Sequence, residues 1–192
     1  MSRAKGILFV ISAPAGTGKT TLAEMLCEEF SSVVENVSYT TRTARAHEVN
    51  GKHYHFISEK EFKEKIRQGE FLEYAEVFGA FYGTARTSVE KLQAQGKHVL
   101  LVIDTQGAAQ LRERAKGCFI FLSPPDIGTL RDRLSKRKTE SQESIEDRLS
   151  WAEKEIKMLH HYDYHIINDN LSVAYEVLRS IVIAEEHRFK GE

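Results

Sequence analysis

The stretch ILFVISAPAGTGKT, residues 7–20, decides the fold of this chain. Ile7 to Ile11 are apolar without alternation, which is typical of a strand buried on both faces of a parallel sheet. Ala13 to Thr20 follow the pattern GxxxxGK[ST], except that alanine occupies the first glycine position. From Thr20 to Phe30, apolar residues recur at helical spacing. A strand, a glycine-containing loop and a helix in this order predict a phosphate-binding loop.

The residue types of this loop suit a nucleotide. Backbone N–H groups of such a loop surround the β-phosphate, and the positive end of the following helix favours the anion. Lys19 is expected to neutralise the β- and γ-phosphates, and the hydroxyl of Thr20 is expected to bind Mg²⁺. Alanine at position 13 is harmless if its φ is negative and costly if its φ is positive. The residues predicted to bind ATP here are Ala13, Pro14, Ala15, Gly16, Thr17, Gly18, Lys19, Thr20 and Thr21.

The rest of the chain predicts an α/β fold. Apolar runs of strand length recur at Val99–Ile103, Cys118–Leu122 and Tyr164–Ile167, each followed by a helical pattern, which predicts a parallel sheet flanked by helices. Residues 36–95 are instead polar and rich in aromatics, with a short helix near Glu59–Arg67 and antiparallel strands around Tyr54 and at Phe71–Phe78. We interpret the chain as one domain, with a core at 1–35, 96–130 and 163–192, an inserted segment at 36–95 and a helical region at 131–162.

Composition excludes several classes of protein. The 192 residues include 27 basic and 28 acidic ones, so the net charge of −1 does not fit a globally basic nucleic-acid binder. Cys27 and Cys118 lack the spacing of a disulfide framework or a zinc site. The apolar runs are too short to span a membrane, and Met1 to Lys5 are too short and polar for a signal peptide. We therefore expect a cytoplasmic protein with no nucleic-acid, membrane or obligatory protein partner.

The segment TTRTARAHEVNGKHYHF, residues 40–56, indicates which family of P-loop proteins this chain resembles. It resembles the guanylate kinase family, whose pattern T-[ST]-R-x-x-[RK]-x-x-[DE]-x-x-G-x-x-Y-x-F is filled at every specified position. The resemblance continues along nearly the whole chain. It implies a P-loop core with a GMP-binding segment at 36–95 and a helical lid at 131–162. The implied reaction is Mg²⁺-dependent transfer of the γ-phosphoryl group of ATP to GMP, and also to dGMP.

Two arginines of this segment suit a phosphate group. Arg42 and Arg45 offer two guanidinium groups close together, a good match for a phosphate dianion. Tyr54 and Tyr82 can add phenolic donors. Alternatively, such arginines can be solvated surface residues without a ligand. The resemblance implies that these four residues hold the phosphate of GMP.

A buried carboxylate can select guanine. Guanine presents N1–H and N2–H₂ donors side by side, whereas adenine has an acceptor at N1, so the wrong base leaves buried groups unpaired. Glu73 matches the family's guanine-binding glutamate, although by itself it could be an exposed strand carboxylate. Ser38, Thr84 and Asp104 match other positions that contact the base.

Arginines also concentrate in residues 131–148. Phosphoryl transfer depends on positioning and on neutralisation of charge, which arginines supply. Arg137 and Arg148 match the family's phosphate-clamping arginines, and Arg133, Asn168 and Asp169 match positions near the base of ATP. The Glu and Arg content also permits a helix with charge pairs at i,i+4. The predicted catalytic residues are Lys19, Arg42, Arg137 and Arg148.

Five residues depart from the family pattern: Ala13 and Ala15 in the loop, Ala44, Lys138 after the lid arginine, and Val102 in place of a common acid. Two alternative functions remain. Guanylate-kinase-like interaction modules bind peptides but have lost phosphate-loop residues, which this chain retains. A related P-loop kinase for another nucleotide or a sugar phosphate would not require residues 40–56 or Glu73. A GTPase is disfavoured because the sequence has a DxxG segment but no NKxD segment.

Overall fold

The computed structural model describes residues 5–136 and 141–189. The strands are β1 (Leu8–Ser12), β2 (Val33–Glu35), β3 (Tyr39–Thr40), β4 (His55–Phe56), β5 (Phe71–Val77), β6 (Ala80–Ala85), β7 (His98–Val102), β8 (Cys118–Ser123) and β9 (Tyr164–Ile167). The helices are α1 (Lys19–Glu29), α2 (Glu59–Arg67), α3 (Arg86–Ala94), α4 (Thr105–Arg114), α5 (Ile127–Ser135), α6 (Gln142–Ile156) and α7 (Leu171–Glu186), with a 3₁₀ helix at Lys157–His161.

The core is a five-stranded parallel sheet in the order β2-β7-β1-β8-β9. Every residue of the central strand β1 is buried, because helices cover both faces of the sheet. Phe9 and Ile11 belong to an apolar cluster with residues of α1 and α7, whereas Leu8 and Val10 belong to a second cluster with residues of α3 and α4. The predicted α/β fold with a parallel sheet flanked by helices is confirmed. The short edge strand β2 was not predicted.

Residues 36–95 contain all four strands of a second sheet, in the order β4-β3-β6-β5. The strand predicted at Phe71–Phe78 corresponds to β5, which pairs antiparallel with β6, a strand that was not predicted. The prediction of an antiparallel strand around Tyr54 is wrong, because β4 pairs in parallel with β3. The intervening loop carries the chain back beside Tyr39, where β3 begins, so both strands run in the same direction. Helix α2 has the predicted bounds and is capped by Ser58, whose hydroxyl accepts the N–H of Glu61.

Helices α5 and α6 pack against each other beside the core sheet. Their contact is a third apolar cluster, formed by Leu130, Leu134, Ile145, Leu149 and Ala152. Helix α3 lies within the predicted inserted segment, but its Val89 packs in the second cluster of the core. Within the two described ranges, no helix combines the length and the apolarity needed to cross a bilayer.

Candidate active site

The loop between β1 and α1 needs its two glycines. Gly16 and Gly18 have φ of 91° and 98°, in the left-handed region that favours glycine. A Cβ at Gly16 would lie 2.9 Å from Leu134, and one at Gly18 would lie 2.7 Å from Asn168. Ala13 does not share this conformation, because Phe78 is the one non-glycine residue with positive φ in the described ranges. Alanine therefore fits the first position of this loop without strain.

Side chains fix the loop in place. The hydroxyl of Thr17 donates to the carbonyl of Pro14 at 2.6 Å. The amide of Asn168, which is buried beyond β9, donates to the carbonyl of Thr17 at 2.8 Å. The ammonium group of Lys19 donates to the carbonyl oxygens of Ala13 and Pro14. The loop is thus anchored internally and, through Asn168, to the segment that follows β9.

A cavity of about 420 Å³ opens between this loop, the second sheet and α6. Half of the residues predicted for the site line it, although they are distant along the chain. They are Ala15, Lys19, Thr20, Ser38, Arg42, Arg45, Tyr54, Glu73, Tyr82, Asp104 and Arg148. Thr84 is fully buried and pairs with Glu73 across β5 and β6. Thr21 is exposed on α1.

Arg42 is held in a defined orientation. Its Nε donates to the hydroxyl of Tyr82 at 3.2 Å, and its Nη2 donates to Glu48 at 2.7 Å. Its guanidinium carbon lies 5.6 Å from the ring centre of Tyr54, a distance at which a cation is attracted to the face of an aromatic ring. The hydrogen bond from Arg42 lowers the pKa of Glu48 to about 2. Arg42, Tyr54 and Tyr82 are thereby assembled on one side of the cavity, with the exposed Arg45 nearby.

Glu73 occupies the buried end of the cavity. Its exposed fraction is 2%, and this burial raises its pKa to about 7, an effect that the nearby Thr84 opposes and the charge of Asp104 reinforces. The hydroxyl oxygen of Thr84 is buried and has no hydrogen-bond partner among the described residues. A buried carboxyl beside an unsatisfied hydroxyl is suited to a polar ligand that supplies the missing hydrogen bonds.

Asp104 has a structural role that the sequence did not reveal. It caps the N-terminus of α4, where its Oδ1 accepts the N–H groups of Gln106 at 2.7 Å and Gly107 at 3.1 Å. The loss of an acid at Val102 leaves an apolar, half-buried side chain in the wall of the cavity. Asp104 lines the cavity together with Lys19 of the loop.

Glu155 is a buried acid near the loop that its sequence context does not indicate. It lies on α6 with an exposed fraction of 5%, and the hydroxyl of Thr105 donates to it at 3.5 Å. Burial raises its pKa to about 7, an effect opposed by the charge of Lys19. Nothing in the spacing of this glutamate distinguishes it from exposed neighbours, because its burial depends on tertiary contacts such as the one with Thr105 of α4.

The residues predicted near the base of ATP come together at another edge of the loop. Arg133 of α5 donates to the carbonyl of Asp169 at 3.4 Å, and Asn168 contacts Thr17 as described above. Of the two arginines predicted to clamp phosphates, Arg148 lines the cavity. Arg137, like Lys138, lies outside the described residues.

The comparison with known proteins agrees with this geometry. Residues 5–185 match the family model described as guanylate kinase. The chain belongs to the guanylate kinase family. The match covers the loop, the second sheet and helices α5 and α6, so every region that contributes to the cavity lies within it.

Individual members of the guanylate kinase family are similar over nearly the whole chain. A guanylate kinase of Protochlamydia amoebophila is 55% identical, with 96% of this chain and 93% of the relative covered. One from Syntrophomonas wolfei is 45% identical, with 97% and 96% covered. The crystal structure of guanylate kinase from Anaplasma phagocytophilum superposes with a TM-score of 0.81 at 35% identity, with 98% of this chain and 90% of that chain covered. The predicted membership of the guanylate kinase family is therefore confirmed.

Proposed function

We propose that the protein transfers the γ-phosphoryl group of ATP to GMP or dGMP, in the presence of Mg²⁺, and releases ADP and GDP or dGDP. The observation that carries this proposal is the shared cavity. Lys19 of the phosphate-binding loop, Arg42 in the segment after β3, Glu73 of β5 and Arg148 of α6 line one cavity. Donor and acceptor phosphates bound at these residues would lie next to each other, which is the main requirement for phosphoryl transfer.

The acceptor would bind between Arg42 and Glu73. The guanidinium of Arg42, the hydroxyls of Tyr54 and Tyr82, and the guanidinium of Arg45 provide donors for the phosphate of GMP. The ionised carboxylate of Glu73 can accept N1–H and N2–H₂ of guanine together. Ser38, Thr84 and Asp104 contribute further polar groups around the base. Adenine would place an acceptor against the buried carboxylate, and this unpaired contact would exclude AMP.

The donor would bind at the loop, with its base near Arg133, Asn168 and Asp169. The other residues in contact with ATP would be Ala13, Pro14, Ala15, Gly16, Thr17, Gly18, Thr20 and Thr21. Mg²⁺ would bind together with the phosphates of ATP and be held by the exposed hydroxyl of Thr20. Hydroxyl and phosphate oxygens are hard ligands, which this ion prefers. Bound there, Mg²⁺ would neutralise charge on the phosphate oxygens.

No side chain needs to remove a proton, since the acceptor phosphate is itself an anionic nucleophile. The protein's contribution would be charge and alignment. Lys19 and Arg148, with Arg137 outside the described residues, would stabilise the oxygens of the transferring group. The inserted segment and the helical region would exclude water on closure, which limits hydrolysis of ATP.

The experiment is an assay of ADP formation with MgATP and, in turn, GMP, dGMP, AMP, CMP and UMP. We expect turnover only with the guanine nucleotides, and its loss in Lys19→Met. Lys63→Met is the matched control, since Lys63 is an exposed lysine of α2 that pairs with Glu59. Absence of turnover with every acceptor, in a folded sample, would refute the proposal and favour the interaction module. Turnover with a different monophosphate would favour the related kinase.

A further inference from the structure

The turn between β5 and β6 contains an unexpected residue. Val77 pairs with Ala80, so Phe78 and Gly79 form a two-residue turn. Both have positive φ, 49° for Phe78 and 75° for Gly79. Turns of this kind favour Asn, Asp or Gly at the first position, because a large side chain is strained there. A phenylalanine at this position therefore requires a compensating contact or a function.

Burial does not provide the compensation, because Phe78 is 57% exposed. Its ring instead contacts α6. The ring centre lies 6.0 Å from that of Trp151, and the guanidinium carbon of Arg148 lies 5.2 Å from it. Arg148 and Trp151 are three residues apart and so lie on one face of the helix. The turn between β5 and β6 thus contacts α6.

The contact between Phe78 and Arg148 forms part of the cavity wall, because both residues line the cavity together with Lys19. A guanidinium group is attracted to the face of an aromatic ring, and its planar shape makes the contact more directional than that of a lysine. The long side chain of Arg148 thereby loses part of its rotational freedom before any ligand binds. Such preorganisation is what electrostatic stabilisation of a transition state requires.

We propose that Phe78 is a positioning residue for phosphoryl transfer: its ring holds the guanidinium of Arg148 at the wall of the cavity. The inference rests on the function proposed above. Because Arg148 acts on charge that develops during transfer, loss of the ring lowers kcat more than it raises the KM for GMP. Phe78 also connects the second sheet to α6, so the position of Arg148 depends on the segment that holds the acceptor.

The test compares Phe78→Leu with Phe78→Tyr. Leucine keeps an apolar side chain but lacks the aromatic face, and we expect kcat to fall about 3- to 30-fold, the range that a partly exposed cation–π contact implies. Tyrosine keeps the face, and we expect kcat to stay within about twofold of the wild type. Phe189→Leu is the control, because Phe189 is 91% exposed and lies away from the cavity.

A double-mutant cycle with Arg148→Ala shows whether the loss of kcat in Phe78→Leu is exerted through Arg148. If Phe78 acts through Arg148, then Phe78→Leu lowers kcat in the wild type but has little further effect in the Arg148→Ala background. Equal losses in both backgrounds would overturn the inference, as would a Phe78→Leu enzyme with wild-type kcat or a Phe78→Tyr enzyme as slow as Phe78→Leu. A wild-type protein without GMP kinase activity would instead refute the function itself, so the two failures are distinguishable.

Discussion

The carboxylate of Glu48 binds both the side chain of Arg42, at 2.7 Å, and the backbone N–H of Arg45, at 2.8 Å. One buried carboxylate therefore links the two arginines predicted to hold the acceptor phosphate. The link also explains why an acidic residue stands at this place in the segment 40–56. Glu48 does not line the cavity, so its effect on a ligand would be exerted through the arginines.

The first prediction concerns this link. Glu48→Ala should raise the KM for GMP by about tenfold, because the guanidinium of Arg42 loses a charge-assisted hydrogen bond that orients it. The KM for ATP should change by less than about twofold, since the loop is not involved. Steady-state kinetics with each substrate varied in turn measures both. Glu64→Ala is the control, because Glu64 pairs with Arg67 on the exposed face of α2. An unchanged KM for GMP in Glu48→Ala would contradict the orienting role.

The second prediction concerns the pH dependence of acceptor binding. Burial raises the pKa of Glu73 to about 7, and the protonated carboxyl cannot accept both N–H groups of guanine. The value of kcat/KM for GMP should therefore fall as the pH decreases below about 7, approaching tenfold per pH unit.

Other groups also titrate in this range, including the phosphate of GMP and Glu155. Glu73→Gln provides the control, because it shares those groups and lacks only the ionisable carboxyl at position 73. The ratio of wild-type to Glu73→Gln kcat/KM should rise with pH through 7 and then level off. A ratio independent of pH between 5.5 and 8.5 would refute the assigned role of the ionised Glu73.

The third prediction concerns stability and uses the same pair of proteins. A carboxyl whose pKa is higher in the folded than in the unfolded state stabilises the fold below its ordinary pKa near 4.5, and this contribution is lost as the pH rises through about 7. Glu73→Gln removes the buried charge at high pH. The variant should therefore be more stable than the wild type by about 1–3 kcal/mol at pH 8, and the difference should shrink toward pH 5. Urea unfolding at both pH values measures it, and a constant difference would show that Glu73 does not titrate as described.

The sequence predicted the fold where one local pattern determined the structure. The apolar run of β1 and the two glycines after it specify a buried strand and a loop with positive φ, and α2 has its predicted bounds because Ser58 and Glu61 cap it. The direction of β4 was mispredicted, because it depends on the path of a loop rather than on the residues of the strand.

The same distinction applies to the site. The charged and polar residues that line the cavity were predicted, because some suit phosphate or guanine chemically and the others lie in segments that resemble the guanylate kinase family. Two packing relationships at the site were not predicted. The burial of Glu155 and the contact of Phe78 with Arg148 arise from tertiary packing, and neither has a distinctive spacing in the sequence.

The last prediction concerns the first position of the phosphate-binding loop. Ala13 does not have positive φ and is 2% exposed, so glycine there would add flexibility to the unfolded chain and leave a small void. Ala13→Gly should reduce the free energy of unfolding by about 1 kcal/mol and leave the KM for ATP within about twofold. Gly18→Ala, in contrast, should impair turnover. The φ of Gly18 is 98°, and the new Cβ would collide with the amide of Asn168. We expect ATP turnover to fall at least about 100-fold in that variant, since backbone N–H groups of the loop would move away from the phosphates. Urea unfolding and kinetics with varied ATP separate the two effects. If Ala13→Gly markedly improved the KM for ATP, alanine at this position would be a functional handicap rather than a neutral replacement.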